Sequence, residues 1–281
     1  MQQYLTQLDE RGFIRVTGED RVSFLDSLLT RKIPDQAKSL SKDQESWLAA
    51  CLLTPQGKLL DEFLIFIEAE ALLIDCDLSR RDEIIKRLLM YKLRAHVEIE
   101  AVNGHPYILW SQDQSPVSDE KNKLDPRNPR LGARFTSPPP PAVEALTKPA
   151  SDWHTWRIHL AIPEGPIEMP PGSIFPLDYG LHLTNSISFD KGCFIGQEVT
   201  SRSFRRGTLK KSIFAVYVSD PRNALYKSHT LPADITSDIG TRGTLIAVNQ
   251  NAEGFALLKN DVSNLETLSA GPLKLKLKTI T

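Results

Sequence analysis

The residues best suited to chemistry sit in one short stretch. Lys191-Gly192-Cys193-Phe194-Ile195-Gly196-Gln197-Glu198 places a cysteine between two glycines, with Ser201-Arg202 and Arg206-Gly207 just beyond. From Lys191 to Lys211 there are six basic side chains (Lys191, Arg202, Arg205, Arg206, Lys210 and Lys211), and Glu198 is the one acid. Cations beside a thiol, close to a helix start after Gly196, favour the thiolate, the form that attacks electrophiles and binds metals. The glycines permit a left-handed bend or a close backbone approach on either side of Cys193. A reactive thiolate, or a soft ligand for iron or copper, fits this setting. A plainer reading also fits, and on chemistry alone it leads: a lone cysteine behaves as a small buried hydrophobe, and a charge run as a solvated helix face. The candidate bases His154, His159 and His182 cannot be placed beside Cys193 from sequence.

The elements that must position this stretch are readable in outline. Phe13-Ile14-Arg15-Val16 reads as a strand. Asp20 is placed to cap a helix whose Phe24, Leu25, Leu28 and Leu29 share one face. From Trp47 to Cys76, three apolar runs divided by Thr54-Pro55-Gln56-Gly57-Lys58 and by Glu68-Ala69-Glu70 read as antiparallel strands. Ser79-Arg80-Arg81-Asp82 resembles a capping box for a helix carrying Ile84, Ile85, Leu88, Leu89 and Leu93. Val97 to Val102 alternates as a strand. Residues 111–150 lack periodicity, and Pro138-Pro139-Pro140-Pro141 reads as an extended surface spacer. A second long loop runs from Pro163 to Pro176. From about Thr208 the chain reads as a small all-β unit: Ser212 to Ser219, a hairpin around Asn249 to Gly254, and the unbroken alternation of Leu273 to Lys278.

The whole chain sets outer bounds. Its 281 residues, 41% hydrophobic and 25% charged, suit an ordinary globular protein. A net charge of -1 gives no general attraction to nucleic acid or an anionic membrane. No apolar run reaches the roughly 18 residues of a membrane span. Cys51, Cys76 and Cys193 are odd in number and far apart, against a disulfide scaffold or a self-contained zinc or cluster site. The start at Met1-Gln2-Gln3 lacks a secretory or Arg-rich leader pattern, so the chain reads as a complete cytosolic protein or a mature form whose leader is gone.

The stretch from Lys191 to Glu198, with Ser201-Arg202 and Arg206-Gly207, resembles the signature of the YgfZ family. Further blocks are similar: Gly12 to Gly18 with Phe24-Leu25 and Thr30; Thr54 to Lys58; Tyr91-Lys92-Leu93-Arg94; Asp125-Pro126-Arg127 with Leu131-Gly132. Phe175-Pro176-Leu177 and Ser188-Phe189-Asp190 lead into the signature. Arg157-Ile158-His159 and Pro163-Glu164-Gly165 look like the mitochondrial and alphaproteobacterial branch. The resemblance covers most of residues 11–215. It implies an α+β, three-part cloverleaf-like fold shared with the T-protein of the glycine cleavage system. Ferredoxin-like portions over residues 1–207, as two interleaved subdomains around a folate cavity, would be followed by a β-barrel over 208–281.

The branch implies an accessory factor for [4Fe–4S] cluster assembly or repair, with Cys193 as the essential thiol and Asp61 as a candidate acid/base group. Lys191, Gly192, Gly196, Gln197, Glu198, Arg202, His159 and Glu62 are then candidates for binding tetrahydrofolate. Cys193 would be a metal ligand only by sharing a transient cluster with an iron–sulfur scaffold or carrier, because one cysteine cannot hold a cluster alone. The implied location is the bacterial cytoplasm, or the mitochondrial matrix in a eukaryote. The alternative is a tetrahydrofolate-dependent aminomethyl or one-carbon transferase using Asp61 or Glu62; a solvated strand edge is the plain reading of those two acids. T-proteins carry a pterin-binding glutamate where this chain has His159, and they lack the cysteine. Both departures count against transferase chemistry.

Overall fold

The computed structural model describes residues 2–35, 44–113, 117, 123–139, 145–207, 209–219, 231–262 and 268–278. Three sheets organise them.

The largest has five antiparallel strands: β2 (Arg11–Thr17), β3 (Ser46–Leu53), β4 (Leu59–Ile67), β5 (Leu72–Asp77) and β6 (Glu98–Val102), in the order β3-β4-β5-β2-β6. Helices α1 (Arg21–Leu28) and α2 (Arg81–Lys92) cover one face. There Ile14, Val16, Leu52, Phe63, Ile65 and Ile74 meet Leu25, Leu28, Ile84 and Leu88. Alternate residues Phe13, Ala49, Leu64 and Leu73 pack with Trp47 on the other face. Period-2 patterning therefore builds a sheet buried on both sides.

A smaller sheet joins β1 (Tyr4–Gln7), β7 (Tyr107–Trp110), β8 (Ala133–Phe135) and β9 (Leu146–Thr147), backed by α3 (Ala150–His159). Trp110, Trp153 and Trp156 fill that junction, so the two tryptophans of α3 are core residues. The third sheet is a closed barrel of β10 (Lys211–Val218), β11 (Ala233–Ser237), β12 (Gly240–Val248), β13 (Glu253–Lys259), β14 (Leu268–Ala270) and β15 (Leu273–Leu277). In β15 the leucines at 273 and 275 are buried and the lysines at 274 and 276 exposed, as the alternation requires. In chain order, α4 (Gly165–Glu168) and α5 (Gln197–Arg206) come between α3 and the barrel. Among the described residues no helix is long and apolar enough to cross a membrane.

Some local expectations fail for identifiable reasons. Asp20 precedes α1 without capping it; its carboxylate instead accepts from the backbone N–H of His96, tying the helix start to the approach of β6. Ser79 is not the cap before α2. Asp77 instead caps a single 3-10 turn before the helix, accepting from both the N–H and the hydroxyl of Ser79, and α2 itself starts after Arg80 without a side-chain cap. Leu89 and Leu93 are exposed, leaving Ile84 and Leu88 as the buried stripe of α2. The proline spacer lies partly outside the described residues, at Pro140 and Pro141. The unpatterned stretch around 125–135 is far from inert, since it supplies Asp125, Arg127 and Arg134 to the interior.

Candidate functional site

Cys193 stands on a loop whose other members are anchored inward. The Lys191 side chain is fully buried and its ammonium donates to the carbonyls of Asp26 (2.5 Å), Leu29 (2.8 Å) and Arg31 (3.2 Å). These oxygens lie in and just after the last turn of α1, where carbonyls lack helical partners and a cation suits the dipole. Burial pushes the Lys191 ammonium below its usual range, and Asp26 partly opposes that. Phe194 fills the core beside Cys51, Leu53 and Leu59. Gln197 closes the ring, its side-chain amide donating to the carbonyls of Gly192 (3.3 Å) and Lys191 (3.5 Å).

Two further pins fix the loop from outside. Thr30 accepts from the Cys51 N–H (2.8 Å) and donates to the Ser186 carbonyl (2.6 Å), while the Ser188 N–H bonds to the Thr30 carbonyl (2.9 Å). The segment leading to the signature is thereby stitched to β3. Gly196 has φ 79°, and a Cβ there would lie 2.6 Å from the Thr54 carbonyl and 3.0 Å from Gly57. The Thr54–Lys58 turn thus touches the signature directly, and glycine is required on both counts.

What remains outside is Gly192 and Cys193, both exposed. Cys51 and Cys76 are buried, and burial pushes both thiols up, so Cys193 is the accessible sulfur of the three. Beyond it Glu198 and Arg202 pair with each other at 2.6 Å on the exposed side of α5.

The other expected residues lie elsewhere. Asp61 is buried and accepts from Arg80 at 2.8 and 3.2 Å. Burial raises its carboxyl more than Arg80 lowers it. Glu62 accepts from Arg11 at 2.9 Å with its side chain 10% exposed. Neither acid is a solvated edge residue, because each has a guanidinium over it. The gap between Asp61, Glu62, Arg80 and Gly165 offers about 10 Å³, room for one water at most. His159 faces the barrel: it stacks on Trp156 at 4.9 Å and meets the Glu253 carboxylate at 2.7 Å, which Lys278 also holds. It borders a different groove, shared with Arg130 and Tyr217. Among the described residues, those expected to bind tetrahydrofolate therefore do not converge on one cavity, and Lys191, Gln197, Glu62 and His159 each already have a polar partner within the protein. As a set they offer a pterin no common cavity among the described residues.

A buried ionic network escaped the sequence reading. Arg11 donates to the Asp75 carboxylate at 2.5 Å, and Arg134 bridges Asp75 and Asp125. Arg127 clasps Asp125 at 2.8 and 3.0 Å and reaches Glu164 at 2.5 Å. Burial drives the Glu164 carboxyl upward, but Arg127, Arg11, Arg157 and Arg134 overcome it and hold it well below the usual range. Asp125-Pro126-Arg127 and Pro163-Glu164-Gly165, two of the blocks that carry the resemblance, supply Asp125, Arg127 and Glu164 to this network. The available signal was charge at inward strand positions, as with Asp75 inside Leu72-Leu73-Ile74-Asp75-Cys76. Among the described residues no group of three His, Cys, Asp or Glu side chains could hold a metal ion.

Two α+β layers closed by a six-stranded barrel define the class of the aminomethyltransferase fold. The glycine cleavage system aminomethyltransferase T of Bartonella henselae superposes with a TM-score of 0.70 over 99% of this chain and 86% of its own, at 11% identity. That likeness concerns the fold. Sequence narrows the class. The mitochondrial iron–sulfur cluster assembly factor IBA57 of Mus musculus is 31% identical over 292 residues, covering 96% of this chain and 80% of that protein. Its Homo sapiens counterpart is 31% identical, covering 76% of this chain and 66% of its own length. The Neurospora crassa homologue is 29% identical, with 74% of this chain matching 52% of it. No family model matches. The chain belongs to the IBA57 family of iron–sulfur cluster assembly factors.

Proposed function

We propose that this protein is an accessory factor in iron–sulfur cluster assembly or repair, acting on [4Fe–4S] clusters, with Cys193 as its working thiol. The observation that carries the reading is an exposed thiol at the crest of a loop whose Lys191, Phe194 and Gln197 are all tied inward. Such a display presents sulfur to a partner while the chain itself stays fixed. The thiol releases its proton to solvent and its sulfur lone pair ligates cluster iron; no electron is transferred in that step. The remaining ligands come from an iron–sulfur scaffold or carrier protein. In a eukaryotic cell the site of action is the mitochondrial matrix, consistent with the names of the relatives; in a bacterium it is the cytoplasm.

The test is complementation with Cys193→Ser in cells lacking the wild-type copy. The variant should fold and accumulate normally, while [4Fe–4S] enzyme activities stay at the level of the deletion. Normal activities would end the proposal. The one-carbon transferase reading is weaker, since Asp61 is buried under Arg80 and faces space for one water. It would regain ground if purified protein turned over an aminomethyl donor with tetrahydrofolate and lost that activity in Asp61→Asn.

A further inference from the structure

We propose that the exposed side of α5 and the adjoining loop form a docking surface for an acidic protein, the scaffold or carrier that shares its cluster with Cys193. The proposal rests on the thiol function given above and adds how the partner is recognised.

Three observations meet on this surface. Arg205, Arg206 and Lys210 are exposed, and among the described residues no carboxylate lies within ion-pair distance of them. The one acid of α5, Glu198, is taken by Arg202. Apolar side chains are exposed on the helix, Phe204 at 43% and Val199 at 37%, and Leu183, next in sequence to the His182 that meets Phe204, is 77% exposed. Finally, Phe204 is held rather than loose. It stacks on Phe189 at 3.7 Å and meets the edge of His182 at 5.8 Å.

Phe204 lies one turn after buried Thr200, so its held ring borders the packed side of α5, while Arg205 and Arg206 fall on the solvent side of the same turn. Arginine and aromatic side chains are the residues enriched in protein interfaces. A net charge of -1 also argues for a local acidic counterpart rather than a long polyanion. Phe204 follows Gln197 by seven residues, so at about 1.5 Å per residue it lies roughly 10 Å along the helix from the signature loop. The cations can therefore steer a partner whose thiolates reach Cys193 without contacting the sulfur themselves.

The experiment uses the full chain and purified, cluster-loaded scaffold and carrier proteins of the same cell, with binding measured across a salt series. Wild type should bind at least one of them, and binding should weaken as salt rises. Arg205→Glu/Arg206→Glu should raise the Kd tenfold or more, and Arg205→Gln/Arg206→Gln should raise it less. Lys274→Glu/Lys276→Glu, the same charge change on the barrel, should leave it unchanged. Each of them should still show one alkylatable thiol per folded chain, showing an intact loop. The proposal is overturned if no scaffold or carrier binds, or if binding ignores salt and both α5 variants. It is also overturned if duplex DNA or phosphatidylserine vesicles bind comparably and lose binding in the same variants, or if the chain pairs with itself through this face. If Cys193→Ser fails in cells while Arg205→Glu/Arg206→Glu supports full activity and binding, the thiol function stands and this surface does not.

Discussion

Lys191 and Cys193 are two residues apart and do opposite things. The lysine spends its ammonium on three carbonyls at the end of α1, and the cysteine spends nothing. Replacing Lys191 with Met would keep the apolar stem and leave those carbonyls without their donor. A buried polar group left unpaired costs roughly 1–3 kcal/mol, so the urea midpoint of Lys191→Met should fall by the equivalent of about 2 kcal/mol or more. Cys193 alkylation should also become faster or heterogeneous as the loop loosens. Cys193→Ser, by contrast, changes an exposed atom and should leave stability within about 0.5 kcal/mol.

At the scale of elements, the junction of the Thr54–Lys58 turn with the start of α5 is the tightest fit at the site. Gly196→Ala would force a side chain into φ 79° and against the Thr54 carbonyl. Strain of this kind costs about 1–3 kcal/mol. Thermal unfolding should show the loss, and Cys193→Ser should show none comparable. Which elements would form was largely legible in the chain. The strands around Ile14, Phe63 and Leu275 carry their own alternation, and the glycines at 57 and 196 mark real turns. The site was less so. Lys191 looked like part of a charged run and proves to be a buried strut, because its partners are backbone carbonyls that no side-chain pattern encodes. His159 sits among family-like residues yet turns to Glu253, a contact made across 94 residues. The Arg–carboxylate network was hidden for the same reason: each member looks like an ordinary surface charge until the two sheets meet.

For the molecule as a whole, that network joins the layers. Arg11 and Asp75 come from the five-stranded sheet, Arg134 from the four-stranded one, and Glu164 from the segment before α4. Removing one partner from a buried pair typically costs about 3–5 kcal/mol, so Arg134→Met should approach global unfolding while Arg202→Ala should be nearly silent. The pH dependence has a definite sign. Glu164 is held well below its ordinary value in the folded state. Its contribution is therefore complete above the unfolded carboxylate value of about 4.3 and is lost as pH falls through the lower folded value. Urea midpoints measured from pH 7 downward should drop steeply below about pH 4.5, and Glu164→Gln should flatten that segment while lowering stability at neutral pH. A profile unchanged by Glu164→Gln would sever the link between this carboxylate and acid unfolding.

The placement of the three sulfurs has a practical corollary. Cys51 lies inside β3 and Cys76 inside β5, both wholly buried, while Cys193 is in solvent. A thiol reagent should thus find one equivalent per folded chain and three per unfolded chain. The second and third equivalents become available only when the five-stranded sheet itself opens. The protein carries its own stoichiometric gauge of integrity, readable with an ordinary colorimetric dye, and that gauge needs neither cluster nor partner to work.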